Sequence, residues 1–370
     1  MTKILFFSSK LHRGGAEMHF IRLANALAEK GHQINVLSTQ ANGSFERLLR
    51  QDVILLPGTQ NIRSYTLALI VSIFSLRRTL RKLQPEVVVS IQDGPNVAML
   101  IACTLAGFKG HKVICVQNNP KTLEERLVGR WIFWIAKRLY AQADLIVSLS
   151  KGVGQEYVRQ IKGLEGKIAV VPNIGFPDNQ KYPVPAGKAI GSDLKLLAVG
   201  RLEPQKDYPT MIRGLQILKE KFKVPFQLTV LGNGSQLTAI EDLVRECNLQ
   251  DRVDFAGFVE DTEIHYVKND LLILTSRWEG FGNVIVEAMA SGTPVVATDC
   301  PYGPGEIINS GTDGMLISVG DSNALAATIA DIYGDPGLYK KLRTKGLERA
   351  GDFQSHIVGE KFKSLLETPQ

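Results

Sequence analysis

Two carboxylates stand eight positions apart in Glu279-Gly280-Phe281-Gly282-Asn283-Val284-Ile285-Val286-Glu287, with two glycines following the first. Gly280 and Gly282 let the backbone come close to a ligand. A helix starting near Asn283 and stopping at Gly292 would offer free N–H groups and a positive dipole end. A carboxylate at Glu287 can accept two neighbouring hydroxyls of a ribose, and one at Glu279 the hydroxyls of a sugar. The plainer reading makes Glu279 a loop charge and Glu287 a complement to the helix dipole. Both carboxylates at this spacing around Gly-Phe-Gly favour the ligand reading.

The surrounding pattern shows what must hold these groups. Lys3–Ser8 is a continuous apolar run suited to a buried parallel strand, and Ala16–Lys30 carries apolar residues at helical spacing up to Gly31. Gln33–Ser38, Val87–Ile91, Lys112–Gln117 and Leu145–Leu149 are further strands with helical segments between them. Pro172–Asp193 holds four prolines and little apolar content, and reads as a linker. The alternation then restarts with Leu194–Val199, Gln227–Leu231, Val253–Phe255, Leu271–Thr275 and Pro294–Thr298, and with helices around Thr210–Phe222 and Gln236–Cys247. The expected class is α/β, with two open, parallel, Rossmann-like sheets over residues 1–175 and 190–350. A final helix within 351–370 is expected to return to the first of them. In such sheets ligands bind beyond the carboxyl ends of the strands, so a cleft between the two domains is the natural site.

The Glu279–Glu287 stretch, continuing as Ala-Met-Ala-Ser-Gly-Thr-Pro-Val-Val-Ala297, resembles the E-x7-E motif of the retaining family 4 glycosyltransferases with the GT-B fold. Four further matches run in order along the chain. Val199-Gly200-Arg201-Leu202-Glu203-Pro204-Gln205-Lys206 falls after the first strand of the second domain. The resemblance implies that Arg201 and Lys206 neutralise the departing diphosphate of a nucleotide-sugar donor, with Glu279 as the third catalytic residue. His12-Arg13-Gly14-Gly15-Ala16-Glu17 is similar to the family's glycine loop. Its backbone meets the donor at Gly14 and Gly15, and it is not a dinucleotide G-x-G-x-x-G. Gly232 and Asn233, with Gly257-Phe258-Val259, correspond to loops around the donor base and ribose. Gly280, Phe281, Gly282, Asn283 and Glu287 complete the implied donor site. Pro301–Ile307 and Gly311–Gly314 form a further family-like stretch, read as a contact or as packing of the site wall.

One departure concerns the acceptor side. Relatives often carry a histidine after the strand equivalent to Lys112–Gln117, and this chain has Gln117-Asn118-Asn119. Amides can bond sugar hydroxyls but cannot act as a base. Asp93, after another strand, is the carboxylate candidate there, and its alternative is an ordinary Asx turn before Gly94. The resemblance implies front-face attack on a UDP-sugar, with no Asp-x-Asp motif and no bound metal or other cofactor. The acceptor implied is a glycan on a polyprenyl diphosphate carrier, used in cell-surface polysaccharide or glycoprotein glycan assembly. A nucleotide-sugar epimerase or hydrolase would need acid and base groups at the sugar. A non-catalytic partner subunit would not need intact Arg201, Lys206, Glu279 and Glu287.

Composition agrees with a folded chain: 370 residues, 44% hydrophobic and 22% charged. Residues 1–180 hold 23 Lys and Arg against 12 Asp and Glu, a surplus of 11, whereas residues 181–370 hold 20 against 25. The basic half points to an anionic partner. Ile62–Lys82 sets apolar residues beside Arg77, Arg78, Arg81 and Lys82. Leu123–Tyr140 sets Trp131, Phe133 and Trp134 beside Arg126, Arg130, Lys137 and Arg138. Such segments suit helices lying in an anionic bilayer interface, or core helices with solvated basic faces. The longest apolar runs, Thr66–Leu76 and Val97–Gly107, have 11 residues each, well short of the ~20 that a membrane span needs. The start is too short for a secretory leader. The four cysteines show no metal or disulfide spacing, so the expected location is the cytoplasmic face of the cell membrane. Basicity alone can also attract nucleic acid, but no recognition motif is present.

Overall fold

The computed structural model describes the chain apart from residues 9–10, 12–13, 40–42, 44, 58–61, 63, 121–126, 177–188 and 368–370. His12, Arg13, Leu123, Arg126 and the linker prolines Pro177, Pro183 and Pro185 therefore lie outside the described residues. The chain forms two compact units, Met1–Pro177 with Ser355–Gln370, and Asp178–Gln354.

In the first unit seven parallel strands are β1 (Lys3–Ser8), β2 (Gln33–Ser38), β3 (Ile54–Leu56), β4 (Val87–Ile91), β5 (His111–Val116), β6 (Leu145–Ser148) and β7 (Ile168–Val170). Their order is β3-β2-β1-β4-β5-β6-β7. In the second, six parallel strands are β8 (Leu194–Val199), β9 (Phe226–Leu231), β10 (Val253–Gly257), β11 (Leu271–Leu274), β12 (Val295–Thr298) and β13 (Met315–Ile317), ordered β10-β9-β8-β11-β12-β13. Each sheet grows outward in one direction and then reverses, between β1 and β4 and between β8 and β11. At such a reversal neighbouring connections leave in opposite directions and open a crevice beyond the strand ends.

The strands are apolar on both faces because helices cover both. In the first unit Ile4 and Phe6 of β1 pack under Phe20, Ile21 and Ala24 of the helix Gly15–Glu29, and the Phe6 and Phe20 rings meet edge-on at 5.3 Å. The last helix, Ser355–Glu367, lies on that helix. Its Phe362 joins the same core, and its Glu360 pairs with Lys30 at 2.6 Å. In the second unit Leu196, Ala198, Leu228 and Val230 pack under Met211, Ile212 and Leu215 of the helix Tyr208–Ile217.

The sequence reading and the structure differ mainly at edges and ends. β3, β7 and β13 are three-residue edge strands, too short for a period-2 signal. The helix expected over Thr210–Phe222 is α-helical only to Ile217 and finishes as a π-helical turn, Leu218–Phe222, with Lys223 left-handed at φ 56°.

His19, inside the first helix, is 2% exposed and its Nδ1 accepts the Ile174 N–H at 3.3 Å. Burial, and then the nearby Arg22 charge, pushes its pKa down to about 3. The unfolded chain takes up a proton near pH 6.5 and the folded chain does not, so stability present above pH 6.5 is lost as pH falls toward 3. Denaturant titrations between pH 7 and 4.5 should show this loss at up to about 1.4 kcal/mol per pH unit. His19→Gln, which keeps an acceptor for Ile174, should flatten the slope.

Candidate active site

In the second unit the loops leaving β8 and β11 lie side by side, because Leu196 and Leu197 pair with Leu271 and Leu272 across the reversal. Thr275 Oγ1 donates to the carbonyls of Lys206 and Asp207, at 3.0 Å each, and so fastens one loop to the other. Gln205 reinforces the join: its Nε2 donates to the Trp278 carbonyl at 2.8 Å, and its own carbonyl accepts the Arg277 N–H at 2.8 Å. Asp207 takes left-handed backbone at φ 46°, accepts from Thr210 Oγ1 at 2.9 Å and pairs with Arg277 at 3.3 Å.

This scaffold brings Lys206 and Glu279 together. Lys206 Nζ lies 2.5 Å from Glu279 Oε1, with the two side chains 14% and 8% exposed, and Ser276 Oγ donates to the same oxygen at 2.6 Å. Arg201, expected to meet the same diphosphate, is exposed and, among the described residues, makes a 3.4 Å contact to Gln205 Oε1. Lys206 is thus held by a carboxylate, whereas the Arg201 guanidinium projects into solvent.

Gly280 is half-buried. Gly282, left-handed at φ 101°, precedes a helix over Asn283–Ala290, where no side chain caps the first turn. Glu287 lies in the second turn and accepts from Tyr266 Oη at 2.9 Å. Tyr266 is itself locked, 1% exposed and with its carbonyl taken by Thr293 Oγ1 at 2.5 Å. Phe281 is buried on Phe353, ring centroids 5.6 Å apart, and Arg349 lies over the Phe353 ring at 5.0 Å. A Cβ on Gly303 would come within 2.2 Å of the Phe281 carbonyl, so the Pro301–Ile307 stretch backs the loop by packing.

The remaining glycine loops share a steric origin. Gly232 donates to the Gly257 carbonyl at 2.7 Å, and a Cβ on it would sit 2.0 Å from the Gly200 carbonyl. A Cβ on Gly200 would in turn press on the Lys206 stem at 3.2 Å. The tight stack of these loops therefore accounts for Gly232. Asn233 and Phe258 stand exposed beside it, and Val259 is half-buried.

The first unit has its own cluster at the β1–β4 reversal. Gly14 is half-buried and Gly15 exposed, and the Glu17 carboxylate curls over Gly14, its Oε2 within 2.2 Å of where a Cβ would stand. Glu17 is 6% exposed and accepts from Gln92 Nε2 at 3.1 Å. Gln92 has φ 75°, a strained conformation for a non-glycine residue. Asp93, the carboxylate expected to face an acceptor, is 4% exposed. Its Oδ1 takes the hydroxyls of both Tyr140 and Tyr157 at 2.7 Å, and burial raises its pKa. It is an interior anchor of the helix Asp93–Ala106 rather than a presented carboxylate. Gln117 is 4% exposed and its Nε2 has no partner among the described residues, Asn118 is exposed and Asn119 half-buried.

The sequence reading did not single out Tyr266 and Gln205 in the second unit or Glu17 and the Tyr140–Tyr157 pair in the first, each joined to its own unit's cluster through long-range contacts. Ser276, three residues before Glu279, carried a local signal in its spacing. Among the described residues no group of three His, Cys, Asp or Glu side chains is placed to hold a metal ion, and no helix is long and apolar enough to cross a membrane.

Two doubly wound parallel units, with opposed lysine and glutamate at a reversal and a second glutamate on the following helix, define a glycosyltransferase of the GT-B class. The family models agree. "Glycosyltransferase Family 4" matches residues 13–174 and "Glycosyl transferases group 1" matches 185–349, so the chain belongs to the family 4 glycosyltransferases with the GT-B fold. A Campylobacter jejuni enzyme, the α-1,4-N-acetyl-D-galactosaminyltransferase acting on GalNAc-α-(1→4)-GalNAc-α-(1→3)-diNAcBac-PP-undecaprenol, is 25% identical over 99% of both chains. The lipopolysaccharide core glycosyltransferase LpsE of Rhizobium meliloti is 26% identical over 95% of this chain and 96% of its own. Anabaena HepE, solved with UDP and glucose, superposes with a TM-score of 0.81 at 23% identity over all of both chains.

Removing one member of the Lys206–Glu279 pair strands a largely buried charge. Lys206→Met should therefore destabilise the second unit by about 3 kcal/mol in urea titrations. Lys206→Met combined with Glu279→Gln should recover much of that loss, because no uncompensated charge remains.

Proposed function

We propose that the chain is a retaining glycosyltransferase that moves a hexose or N-acetylhexosamine from a UDP-sugar to a glycan on a polyprenyl diphosphate carrier. The observation that carries this reading is the Lys206–Glu279 pair beyond the carboxyl ends of β8 and β11, with Glu287 in the second turn of the uncapped helix that follows. The undecaprenyl-diphosphate acceptor of the Campylobacter relative, the cell-surface glycan made by the Rhizobium one, and the UDP and glucose bound to HepE support the choice of acceptor and donor.

In this mechanism Glu287, oriented by Tyr266, accepts the ribose hydroxyls. Glu279 holds sugar hydroxyls on the oxygen not fully engaged by Ser276 and Lys206. The Lys206 ammonium carries three donors, so it can keep Glu279 and still meet a phosphate oxygen. Arg201 swings onto the diphosphate, where charge builds as the glycosidic bond breaks. The leaving group is already activated, so no protein acid is needed. The acceptor hydroxyl approaches on the face the diphosphate leaves, and its proton passes to a departing phosphate oxygen. Gln117, Asn118 and Asn119 offer amides to the acceptor, and Asp93 acts only by holding the helix start beside them. Protein carboxylates do not form a metal site in this route, and the enzyme works at the cytoplasmic membrane face.

Anomeric configuration of the product, read by proton NMR after reaction of a UDP-α-sugar with a polyprenyl-diphosphate glycan, tests the reading directly. An α-linked product, formed equally with EDTA present, is expected; a β-linked product overturns the retaining assignment. Arg201→Ala should cost about 10²–10³ in kcat. Glu287→Ala should abolish the thermal shift given by UDP-sugars, while Glu287→Gln, which keeps the Tyr266 bond, should retain part of it.

A further inference from the structure

Right-handed crossovers place the helices Tyr65–Leu83, Asp93–Ala106 and Leu127–Leu139 in one layer on one face of the seven-stranded sheet. The middle helix is buried over most of its length. Arg77 and Arg81 donate to the Leu105 carbonyl at its end, at 3.1 and 3.4 Å, and Thr104 reaches Gln142 just beyond the third helix at 3.3 Å. The outer sides of the two flanking helices are left to solvent, and both carry the same graded stripe. On the first, Leu67, Ile70 and Phe74 are 51%, 49% and 62% exposed, and the stripe continues into exposed Arg78 and Arg81. On the other, Leu127, Trp131 and Trp134 are 75%, 67% and 51% exposed, and Lys137 and Arg138 follow. Arg138 lies over the Trp134 ring at 3.6 Å. Neither helix contains a single Asp or Glu.

We propose that this face docks on an anionic phospholipid bilayer, with the apolar first halves of the two helices entering the interface and the cationic second halves meeting headgroups. Apolar and aromatic side chains on one helix face, followed by Lys and Arg with no acidic residue, match the boundary between acyl chains and anionic headgroups. A second copy of the chain is disfavoured as the occupant, because two such faces would bring cation against cation without a carboxylate between them. Both helices begin at the carboxyl edge of the sheet, so their apolar ends bring the β1–β4 reversal, with Gln117 and Asn118 near it, closest to the lipid. The inference concerns this surface alone and does not depend on the donor or the reaction.

The test uses full-length protein without nucleotide and vesicles of phosphatidylcholine, with or without phosphatidylglycerol. The protein should sediment with the anionic vesicles only and be released by high salt. Trp131 and Trp134 are two of the three tryptophans, so lipids brominated on the acyl chain should quench much of the emission. Trp131→Phe with Trp134→Phe, leaving Trp278, should bind and show no quenching. Phe74→Ser with Trp131→Ser should cut partitioning at least tenfold, and each of Arg78→Gln, Arg81→Gln and Arg138→Gln about fivefold. These side chains are exposed, so thermal melts should match the parent. If the serine variant melts early, the arginine series decides. Equal binding to neutral vesicles, binding without quenching, or no binding would each overturn the proposal. So would a dimer in sedimentation velocity that Trp131→Ser dissociates.

Discussion

A lysine ammonium and a glutamate carboxylate 2.5 Å apart, both drawn out of water, are stable only where the groups around them cannot relax away. The second unit supplies that rigidity at the junction of β8 and β11. One hydroxyl, Thr275 Oγ1, bonds the carbonyls of both residues 206 and 207, and Ser276 donates to the glutamate. The glycines at 200 and 232 exist to let three loops stack within backbone contact of this pair, and Gly303 does the same behind Phe281. The ion pair is therefore the point on which the packing of the carboxyl edge converges. A ligand arriving there meets charges already oriented, which is the condition for electrostatic preorganisation.

The first unit uses the same reversal of strand order for different chemistry. At its centre stand a strained Gln92, bonded to Glu17, and an Asp93 sealed beneath two tyrosine hydroxyls. Both phenols are held far above their ordinary pKa by burial and by the Asp93 charge, so they remain donors at every accessible pH. This network binds the start of the Asp93 helix to the Tyr140 and Tyr157 segments. The consequence is a firm helix layer whose inner side is fully committed and whose outer side is left apolar and basic.

How much of this was readable in the chain follows from range. The long central strands declared themselves by continuous apolar runs, whereas Ile54–Leu56 and Met315–Ile317 offer three residues each and no period. Glu279 and Glu287 were singled out because their spacing is local. Their contacts were not: Lys206, singled out on its own, lies 73 residues from Glu279, and Tyr266 lies 21 from Glu287 on another helix. Types alone could propose that Lys206 and Glu279 serve one ligand, but not that they neutralise each other. Asp93 failed in the opposite way. Its place after a strand suggested a carboxylate facing an acceptor, with an Asx turn before Gly94 as the alternative, and only tyrosines 47 and 64 residues away make it an interior group.

The charge distribution acts on two length scales. Residues 181–370 carry five more acidic than basic side chains, yet the proposed donor is a diphosphate. No conflict arises, because exposed charges beyond about 8 Å are largely screened at physiological ionic strength. A diphosphate therefore senses Arg201, Lys206 and the dipole of the Asn283 helix far more than the acidic surface elsewhere. A planar bilayer is different, since an extended anionic surface meets many side chains at once and each contributes within its own screening length. Net charge is thus informative for the first unit, where Arg78, Arg81, Lys137 and Arg138 lie on exposed sides of one helix layer, and nearly uninformative for the second, where two cations at one strand junction outweigh the total.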